Sequence, residues 1–313
     1  MNISQLEKAA YLLRQGHLVA IPTETVYGLA ANAFSDQAVA KIYSLKNRPS
    51  FNPLIIHCKD LEMAQEIGIF NDYAFKLAKA FWPGPLTIVL PLSTNAPVSQ
   101  LATTGLKTVA LRVPAHPMSL KILELACIPL AAPSANPSES ISPTSAFHVE
   151  KAFKHNNDLS MIIDGGACDV GLESTIVDLS GEKPILLRPG KITREDLRTF
   201  IGEFSDISLE TGHPKAPGQL KRHYAPSIPL KMNVHEVNKS QALLAFGPSP
   251  LLGAKKTLNL SPTADLIGAA ANLFSMLHEL DNTVFESIAV MPIPHQGVGI
   301  AINDRLSRAE TSQ

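Results

Sequence analysis

The chain has 313 residues, a formal net charge of −1 and three cysteines, Cys58, Cys127 and Cys168. Hydrophobic residues make up 45% of the sequence, which excludes a mainly disordered chain. The near-zero charge argues against a protein that coats nucleic acid. Because the cysteines are widely separated, we expect reduced thiols in a cytoplasmic protein rather than a zinc knuckle or a disulfide framework.

The N-terminal residues lack the basic and apolar regions of a signal peptide. No uninterrupted apolar run reaches the roughly 18 residues that a membrane helix needs. We therefore expect a soluble, cytoplasmic protein with no membrane partner. Its length is comfortable for two domains.

Apolar periodicity predicts mixed helices and strands up to residue 202, which is typical of an α/β fold whose sheet order the pattern leaves open. Ser4 and Glu7 have the spacing of a capping box, which would begin the first helix. Gly16 is placed to end that helix, and Thr193 to cap the last one. The predicted helices cover 4–13, 36–45, 61–67, 72–81, 116–125, 144–153 and 193–201, and the predicted strands cover 17–21, 54–57, 86–92, 108–113, 128–132, 161–164, 174–179 and 185–187.

The composition changes at residue 203. Residues 203–229 are rich in proline, glycine and charge, which is typical of a linker. We therefore predict a first domain over 1–202, followed by this linker and a small α/β domain over 230–313. Its predicted elements are strands at 242–246 and 287–291 and helices at 263–280 and 300–309.

Small polar side chains follow two of the predicted strands. The strand at 17–21 leads into PTETVYGLA (22–30), and the strand at 128–132 leads into PSANP (133–137). The carboxyl ends of strands are where α/β proteins place ligands. These loops therefore predict a small-molecule site.

Lys46 and Arg48 add two cations after the helix that follows the first loop. They either contact the C-terminal dipole of that helix or form a phosphate clamp. Asn52 is placed to add an amide donor to such a clamp.

Other candidate residues also have two interpretations. His57 ends an apolar strand, where it is either a structural hydrogen-bonding residue or a ligand. Arg112 lies inside an apolar strand and needs an anionic partner, either a protein carboxylate or a substrate carboxylate. The remaining candidates are hydroxyl, amide and guanidinium groups at turns and strand ends: Ser134, Asn136, Ser142, Ser174 and Arg188. Turn chemistry is the structural alternative for Ser134 and Asn136, and helix capping for Ser142.

Several nucleotide and hydrolase motifs are absent. The sequence has no GxxxxGK[ST], no GxGxxG after the first strand, no HExxH and no GxSxG. A nucleotide would therefore be held by side-chain cations and hydroxyls.

These motifs, in this order, resemble the YrdC-like domain of threonylcarbamoyl-AMP synthases. The linker sequence and a C-terminal NDRL are similar to the long, two-domain form of that family. The resemblance implies a YrdC-like domain with a twisted mixed sheet and a central basic cavity, plus a small Rossmann-like α/β C-terminal domain. The segments that carry it are PTETVYGLA (22–30), Lys46-x-Arg48, PLIIH (53–57), FWPGPL (81–86), Ser134-x-Asn136, GLESTIVD (171–178), PGQLKRHYAP (217–226) and NDRL (303–306).

The resemblance implies a nucleotidyltransferase that converts L-threonine, bicarbonate and ATP into threonylcarbamoyl-AMP and pyrophosphate. Mg²⁺ would accompany ATP. Partner proteins, the tRNA threonylcarbamoyl-transferases, would use the product to modify the adenosine next to the anticodon, so tRNA would bind indirectly or weakly. A carbamate is already an anionic nucleophile, and the reaction needs positioning and charge neutralisation more than a strong base.

The resemblance also implies roles for individual residues. Arg112 would take the carboxylate of threonine, and the linker would close over the nucleotide as a lid through His223 or Tyr224. No protein residue is expected to hold a metal. The catalytic set would be Lys46, Arg48, Ser134 and Asn136; the threonine set Thr25, His57, Arg112, Ala132 and Ser174; and the ATP set Arg48, Asn52, Thr108, Ser134, Ser142, Arg188, His223 and Tyr224.

Two alternatives remain at this point. The first is an RNA-binding module without catalysis, which the near-neutral charge and the lack of stacking-aromatic motifs weaken. The second is a carbamoyl-transfer maturation factor of the hydrogenase type. Such proteins carry an acylphosphatase module and Cys-rich zinc motifs, which these 313 residues lack.

Overall fold

The computed structural model describes residues 2–154, 156–206, 216–217 and 223–310. Helices and strands are mixed along the first part of the chain, up to Asp206. These elements are α1 (Ile3–Arg14), β1 (Leu18–Ile21), β2 (Gly28–Asn32), α2 (Asp36–Lys46), β3 (Ile55–His57), α3 (Leu61–Ile67), α4 (Asp72–Phe81), β4 (Leu86–Pro91), α5 (Gln100–Thr103), β5 (Thr108–Arg112), α6 (Pro117–Ala126), β6 (Leu130–Ala131), α7 (Ala146–Ala152), β7 (Leu159–Ile162), β8 (Thr175–Asp178), β9 (Ile185–Arg188), α8 (Arg194–Ile201) and β10 (Ser205–Asp206).

Strands β1 to β10 form one mixed sheet in the order β10-β9-β8-β4-β5-β3-β6-β2-β1-β7. At strand β1, helices cover both faces of the sheet. Leu18 and Ala20 belong to the core that contains α2, whereas Val19 and Ile21 pack with α1 and α6. Successive side chains alternate between the two faces of a strand. Because both faces are covered here, all four residues are buried. The predicted mixed-sheet α/β domain is confirmed.

A second, four-stranded sheet begins at Leu230. Its order is β11-β14-β12-β13, and all its neighbouring strands are parallel. Helices α9 and α10 cover one face, and loop residues cover the other. The elements are β11 (Leu230–Lys231), β12 (Ala242–Ala245), β13 (Lys256–Asn259), α9 (Leu266–Leu280), β14 (Ile288–Val290) and α10 (Gly299–Glu310).

The core of the second sheet continues onto the first domain. Val26, Ile141 and Leu172 belong to the same buried cluster as Phe274 on α9. Gly171 allows the two parts to approach, because it has φ +70° and an added Cβ would lie 2.4 Å from the carbonyl oxygen of Ala271. The C-terminal unit is therefore packed against the first domain by apolar contacts.

Two predicted helix caps were wrong. Helix α1 begins at Ile3, so Ser4 and Glu7 lie inside it and form no capping box. Helix α7 is capped by Ser145, which accepts from the backbone N–H of His148, and not by Ser142. The capping box at Thr193 is confirmed, with Asp196 as its partner. The first sheet also includes β10, just beyond the boundary predicted at residue 202.

Four strands were missed: β2, β10, β11 and β13, of which β10 and β11 have only two residues each. Strand β2 reads Gly-Leu-Ala-Ala-Asn and lacks the β-branched and aromatic residues that mark strands in a sequence. Strand β13 reads Lys-Thr-Leu-Asn, in which Thr257 is the one β-branched residue. Residues 207–215 and 218–222 of the predicted linker lie outside the described residues. In the described ranges, no helix combines the length and apolar character that crossing a membrane requires.

Candidate active site

A cavity forms where the ends of several strands of the first sheet meet. Strands β3 and β5 are parallel, and their register places His57 directly beside Arg112. Strand β6 runs antiparallel to β3 and leads into the 133–137 loop, where Ser134 bridges to Gly28 at the start of β2. Hydrogen-bonded neighbours in the sheet are therefore what bring distant sequence motifs together.

The cavity is lined by both polar and apolar side chains, as is usual for small-molecule sites. Most of the predicted site residues line it: Thr25, Arg48, His57, Arg112, Ala132, Ser134, Ser174, Arg188 and His223. The lining also contains residues that were not predicted: Thr23, Val26, Gly28, Ile55, Pro133, Glu173 and Pro217.

Lys46 lies behind the cavity wall. It is the last residue of α2, and its buried Nζ donates to the carbonyl oxygen of Ser134 at 2.6 Å and to that of Asn136. Burial, reinforced by the charge of Arg48, holds the pKa of Lys46 well below its usual value. Lys46 and Asn136 therefore shape the loop that presents Ser134 to the cavity.

Arg48 reaches the cavity because Asn47 ends α2 in the left-handed conformation, at φ +50°. Its Nε donates to the carbonyl oxygen of Asn52 at 3.0 Å and its Nη2 to that of Pro53 at 2.8 Å. Burial lowers the pKa of Arg48 to about 10, which leaves the guanidinium charged at neutral pH. Asn52 holds Arg48 through its main chain and does not line the cavity.

Arg112 has a protein carboxylate as its partner. Its Nη2 lies 2.7 Å from Oε1 of Glu24 and 2.9 Å from Oγ1 of Thr25. Burial raises the pKa of the Glu24 carboxyl, but the Arg112 charge and hydrogen bond outweigh burial and leave that pKa below its usual value. Glu24 stands in the same motif as Thr25, so its place in the sequence was the signal that could have identified it.

Ser174 and Arg188 are in direct contact. Arg188 is the last residue of β9 and lies beside the start of β8. Its Nη2 donates to Oγ of Ser174 at 3.0 Å. Oγ of Ser174 also lies 2.7 Å from Oγ1 of Thr87. The residue predicted for ATP and the residue predicted for threonine therefore share one hydrogen-bond network.

Two histidines in the cavity each carry a ring nitrogen with no partner. Nδ1 of His57 and Nδ1 of His223 are buried and lack a hydrogen bond within the part of the chain that the structure describes. Burial lowers the pKa of each to about 3, and the charge of Arg112 also contributes at His57. Both rings are neutral at physiological pH and are available to a ligand.

Besides Asn52, three predicted ATP residues lie outside the cavity. Thr108 begins β5, roughly 13 Å along the strand from Arg112. Oγ of Ser142 donates to Oε1 of Glu173 at 2.5 Å and does not line the cavity. Tyr224 packs on Phe274 of α9, with ring centroids 5.4 Å apart. Of the two linker residues predicted to face the nucleotide, the structure places His223 at the cavity and Tyr224 in the core of the second sheet.

Residue 216 of the predicted linker lies on an apolar face of the first sheet. Ala216 packs in a buried cluster with Ile55, Ala110, Ile176 and Leu187. The neighbouring carbonyl oxygen of Pro217 lies 3.5 Å from Nη1 of Arg188 and lines the cavity. The described part of the linker thus closes one side of the cavity.

Known proteins share both parts of this architecture. One family model, described as telomere recombination, matches residues 11–190, and a second, described as the C-terminal domain of threonylcarbamoyl-AMP synthase, matches residues 192–311. The chain is 41% identical to the threonylcarbamoyl-AMP synthase of Pyrococcus abyssi over 96% of its own length and 92% of the relative. It belongs to the threonylcarbamoyl-AMP synthase family.

Two further comparisons support this assignment. The threonylcarbamoyl-AMP synthase of Bacillus subtilis is 38% identical over 98% of this chain and 93% of that protein. A crystal structure of P. abyssi Sua5 complexed with L-threonine matches with a TM-score of 0.91 and 39% identity, covering 99% of this chain and 95% of that chain. The two-domain fold that the sequence implied is therefore confirmed.

Proposed function

We propose that this protein is an L-threonylcarbamoyladenylate synthase, which converts L-threonine, bicarbonate and ATP into threonylcarbamoyl-AMP and pyrophosphate. The observation that carries the proposal is the convergence of Arg48, Arg112 and Arg188 on one cavity. One cation is needed for the carboxylate of threonine, and two suit a triphosphate. The names of the relatives and the threonine complex of P. abyssi Sua5 support the same substrates.

The proposed reaction requires little acid–base chemistry from the protein. The threonine nitrogen attacks the bicarbonate carbon, and loss of water leaves a carbamate. A carbamate oxygen then attacks the α-phosphorus of ATP as the bond to pyrophosphate breaks. Arg48 and Arg188 would neutralise phosphate charge, and Arg112 with Thr25 would orient threonine.

The adenine ring would lie on the apolar face formed by Ile55, Ala110, Ile176 and Leu187. Ala216 occupies this face in the structure, so ATP binding would require the 216–217 segment to move. Thr108 lies on the same side of β5 as Ala110, because side chains alternate along a strand. The predicted contact between Thr108 and ATP therefore depends on this movement.

Magnesium would arrive with ATP as part of the substrate. Among the described residues, no group of three or more histidine, cysteine, aspartate or glutamate side chains is placed to hold a metal. The carboxylates nearest the cavity, Glu24 and Glu173, are already paired with arginines. The ion would therefore be coordinated by phosphate oxygens and water, as is usual for Mg²⁺ with nucleotides.

The product would pass to transferase partners that modify the adenosine next to the anticodon of tRNA. We propose that this occurs in the cytoplasm and that tRNA contact with this chain is indirect or weak. The formal net charge of −1 is consistent with weak tRNA contact.

The test is incubation with MgATP, L-threonine and radiolabelled bicarbonate, followed by chromatography for a labelled adenylate. L-serine replaces threonine in a parallel reaction to establish specificity. Formation of the labelled adenylate only with threonine and ATP supports the proposal. No labelled adenylate, combined with ATP-independent tRNA binding, would instead indicate a non-catalytic RNA-binding module.

A further inference from the structure

Arg305 connects the C-terminal domain to the cavity. It lies on α10, and its side chain is fully buried. Its Nε lies 3.0 Å from Oε2 of Glu173, which lines the cavity. Arg305 and Glu173 are 132 positions apart in the chain. They form a buried ion pair that joins the C-terminal domain to the first domain.

The carboxylate of Glu173 is held on both sides. Its Oε2 takes the bond from Arg305, and its Oε1 accepts from Oγ of Ser142. Arg305 is itself oriented by Asp304, at 2.7 Å, and by the ring of Tyr224, whose centroid lies 5.5 Å from the guanidinium carbon. These contacts fix Glu173 in one orientation.

The charge of Glu173 matters because of where it stands. It lines the same cavity as Arg188 and His223, and it interacts electrostatically with both. An uncompensated carboxylate there would repel a triphosphate and compete for Arg188. The ion pair with Arg305 and the bond from Ser142 prevent both effects.

We propose that Arg305 is a positioning residue which the C-terminal domain supplies to the ATP site. It holds Glu173 against Ser142 and so keeps this carboxylate from competing with phosphate for Arg188. This inference rests on the proposed function, since it assumes that the cavity binds ATP. It gives the C-terminal domain a role in substrate binding rather than in folding alone.

The test compares four proteins with the unaltered chain: Arg305→Met, Arg305→Lys, Arg305→Met combined with Glu173→Gln, and the control Lys256→Met. Lys256 forms an exposed ion pair with Glu279 in the same domain, at 2.6 Å and away from the cavity. Calorimetry measures the dissociation constants of MgATP and of L-threonine separately for each protein.

Arg305→Met should weaken MgATP binding on the order of tenfold or more, because Glu173 loses its partner. Threonine binding should change much less, since Arg112 pairs with Glu24 and not with Glu173. The added Glu173→Gln change should restore most of the ATP affinity by removing the uncompensated charge. Arg305→Lys should be intermediate, because lysine keeps the charge without the planar fork, and Lys256→Met should match the unaltered chain.

Normal ATP affinity in Arg305→Met would overturn the inference. It would also be overturned if both ligands lost affinity equally and Glu173→Gln restored neither, because that result describes structural damage alone. If Arg305→Met does not fold, Arg305→Lys decides, and unchanged ATP binding there contradicts the inference. Failure of the unaltered chain to bind ATP would instead refute the proposed function together with this one, so the two failures are distinguishable.

Discussion

Lys46 and Ser134 are joined by a hydrogen bond of 2.6 Å from the buried lysine Nζ to the serine carbonyl oxygen, across 88 positions of the chain. A second bond from the same nitrogen reaches the carbonyl oxygen of Asn136. The lysine therefore ties the end of α2 to the 133–137 loop. In this structure its nitrogen is directed at main-chain oxygens behind the cavity wall, a role different from a direct phosphate contact.

Replacing Lys46 should destabilise the fold as well as the reaction. Lys46→Met leaves two carbonyl oxygens without their donor, and we expect the free energy of unfolding to fall by about 2–3 kcal/mol. Lys41→Met is a matched control, since Lys41 lies on the same helix and donates to an exposed carbonyl oxygen, that of Gly16. Urea denaturation measures both variants, and equal stability would argue against the loop-holding role.

Arg48→Ala should affect catalysis more than folding. Loss of a preorganised guanidinium at the phosphates should remove about 2–4 kcal/mol of transition-state stabilisation. Initial rates of threonylcarbamoyl-AMP formation measure this loss. Arg198→Ala serves as a control, because Arg198 is exposed on α8 and pairs with Glu203. Unchanged product formation by Arg48→Ala would refute its role as a phosphate ligand.

The sequence predicted elements well where strong apolar periodicity and capping residues coincided. Helices α3 and α4 have the predicted bounds, with Asp60 and Asn71 as their N-caps. Strands β2 and β13 were missed because their residues carry little strand preference and are fixed by neighbouring strands. Tertiary pairing, which a local pattern does not contain, determines such segments.

The cations and hydroxyl groups of the candidate site were predicted from the sequence, but its carboxylates were not. The burial predicted for Arg112 required an anionic partner. Glu24 is that partner through a contact between residues 88 positions apart in the chain. Glu173 likewise pairs with Arg305 from the other domain. A single sequence shows that a buried charge needs a partner, but it does not show which distant residue the fold places beside it.

The Arg112–Glu24 pair requires a paired experiment. Arg112→Leu alone would leave Glu24 charged and buried, which is strongly destabilising, so the informative variant combines Arg112→Leu with Glu24→Gln. We expect its threonine dissociation constant to rise on the order of a hundredfold, with ATP binding retained. Glu24→Gln alone is the control and should still bind threonine through Arg112. Calorimetry showing normal threonine affinity in the double variant would exclude the carboxylate contact.

Acidification should loosen the contact between the two domains. His148 on α7 stacks on His278 of α9, with ring centroids 4.0 Å apart. Burial lowers the pKa of His148 to about 4 and that of His278 to about 3. The unfolded chain, with histidine pKa values of about 6.5, therefore binds protons first, and stability present above pH 6.5 is lost as the pH falls towards these values. Each histidine contributes a slope of at most about 1.4 kcal/mol per pH unit.

His148→Phe tests this prediction, because phenylalanine retains a ring against His278 but does not titrate. Unfolding free energies should be measured between pH 6.5 and pH 5, above the range in which most carboxylates titrate. The variant should lose stability less steeply than the unaltered chain over this interval. Measurement at pH 8, where both histidines are neutral in either state, separates the packing effect of the substitution. Parallel curves for the two proteins between pH 6.5 and pH 5 would show that His148 makes no contribution to acid sensitivity.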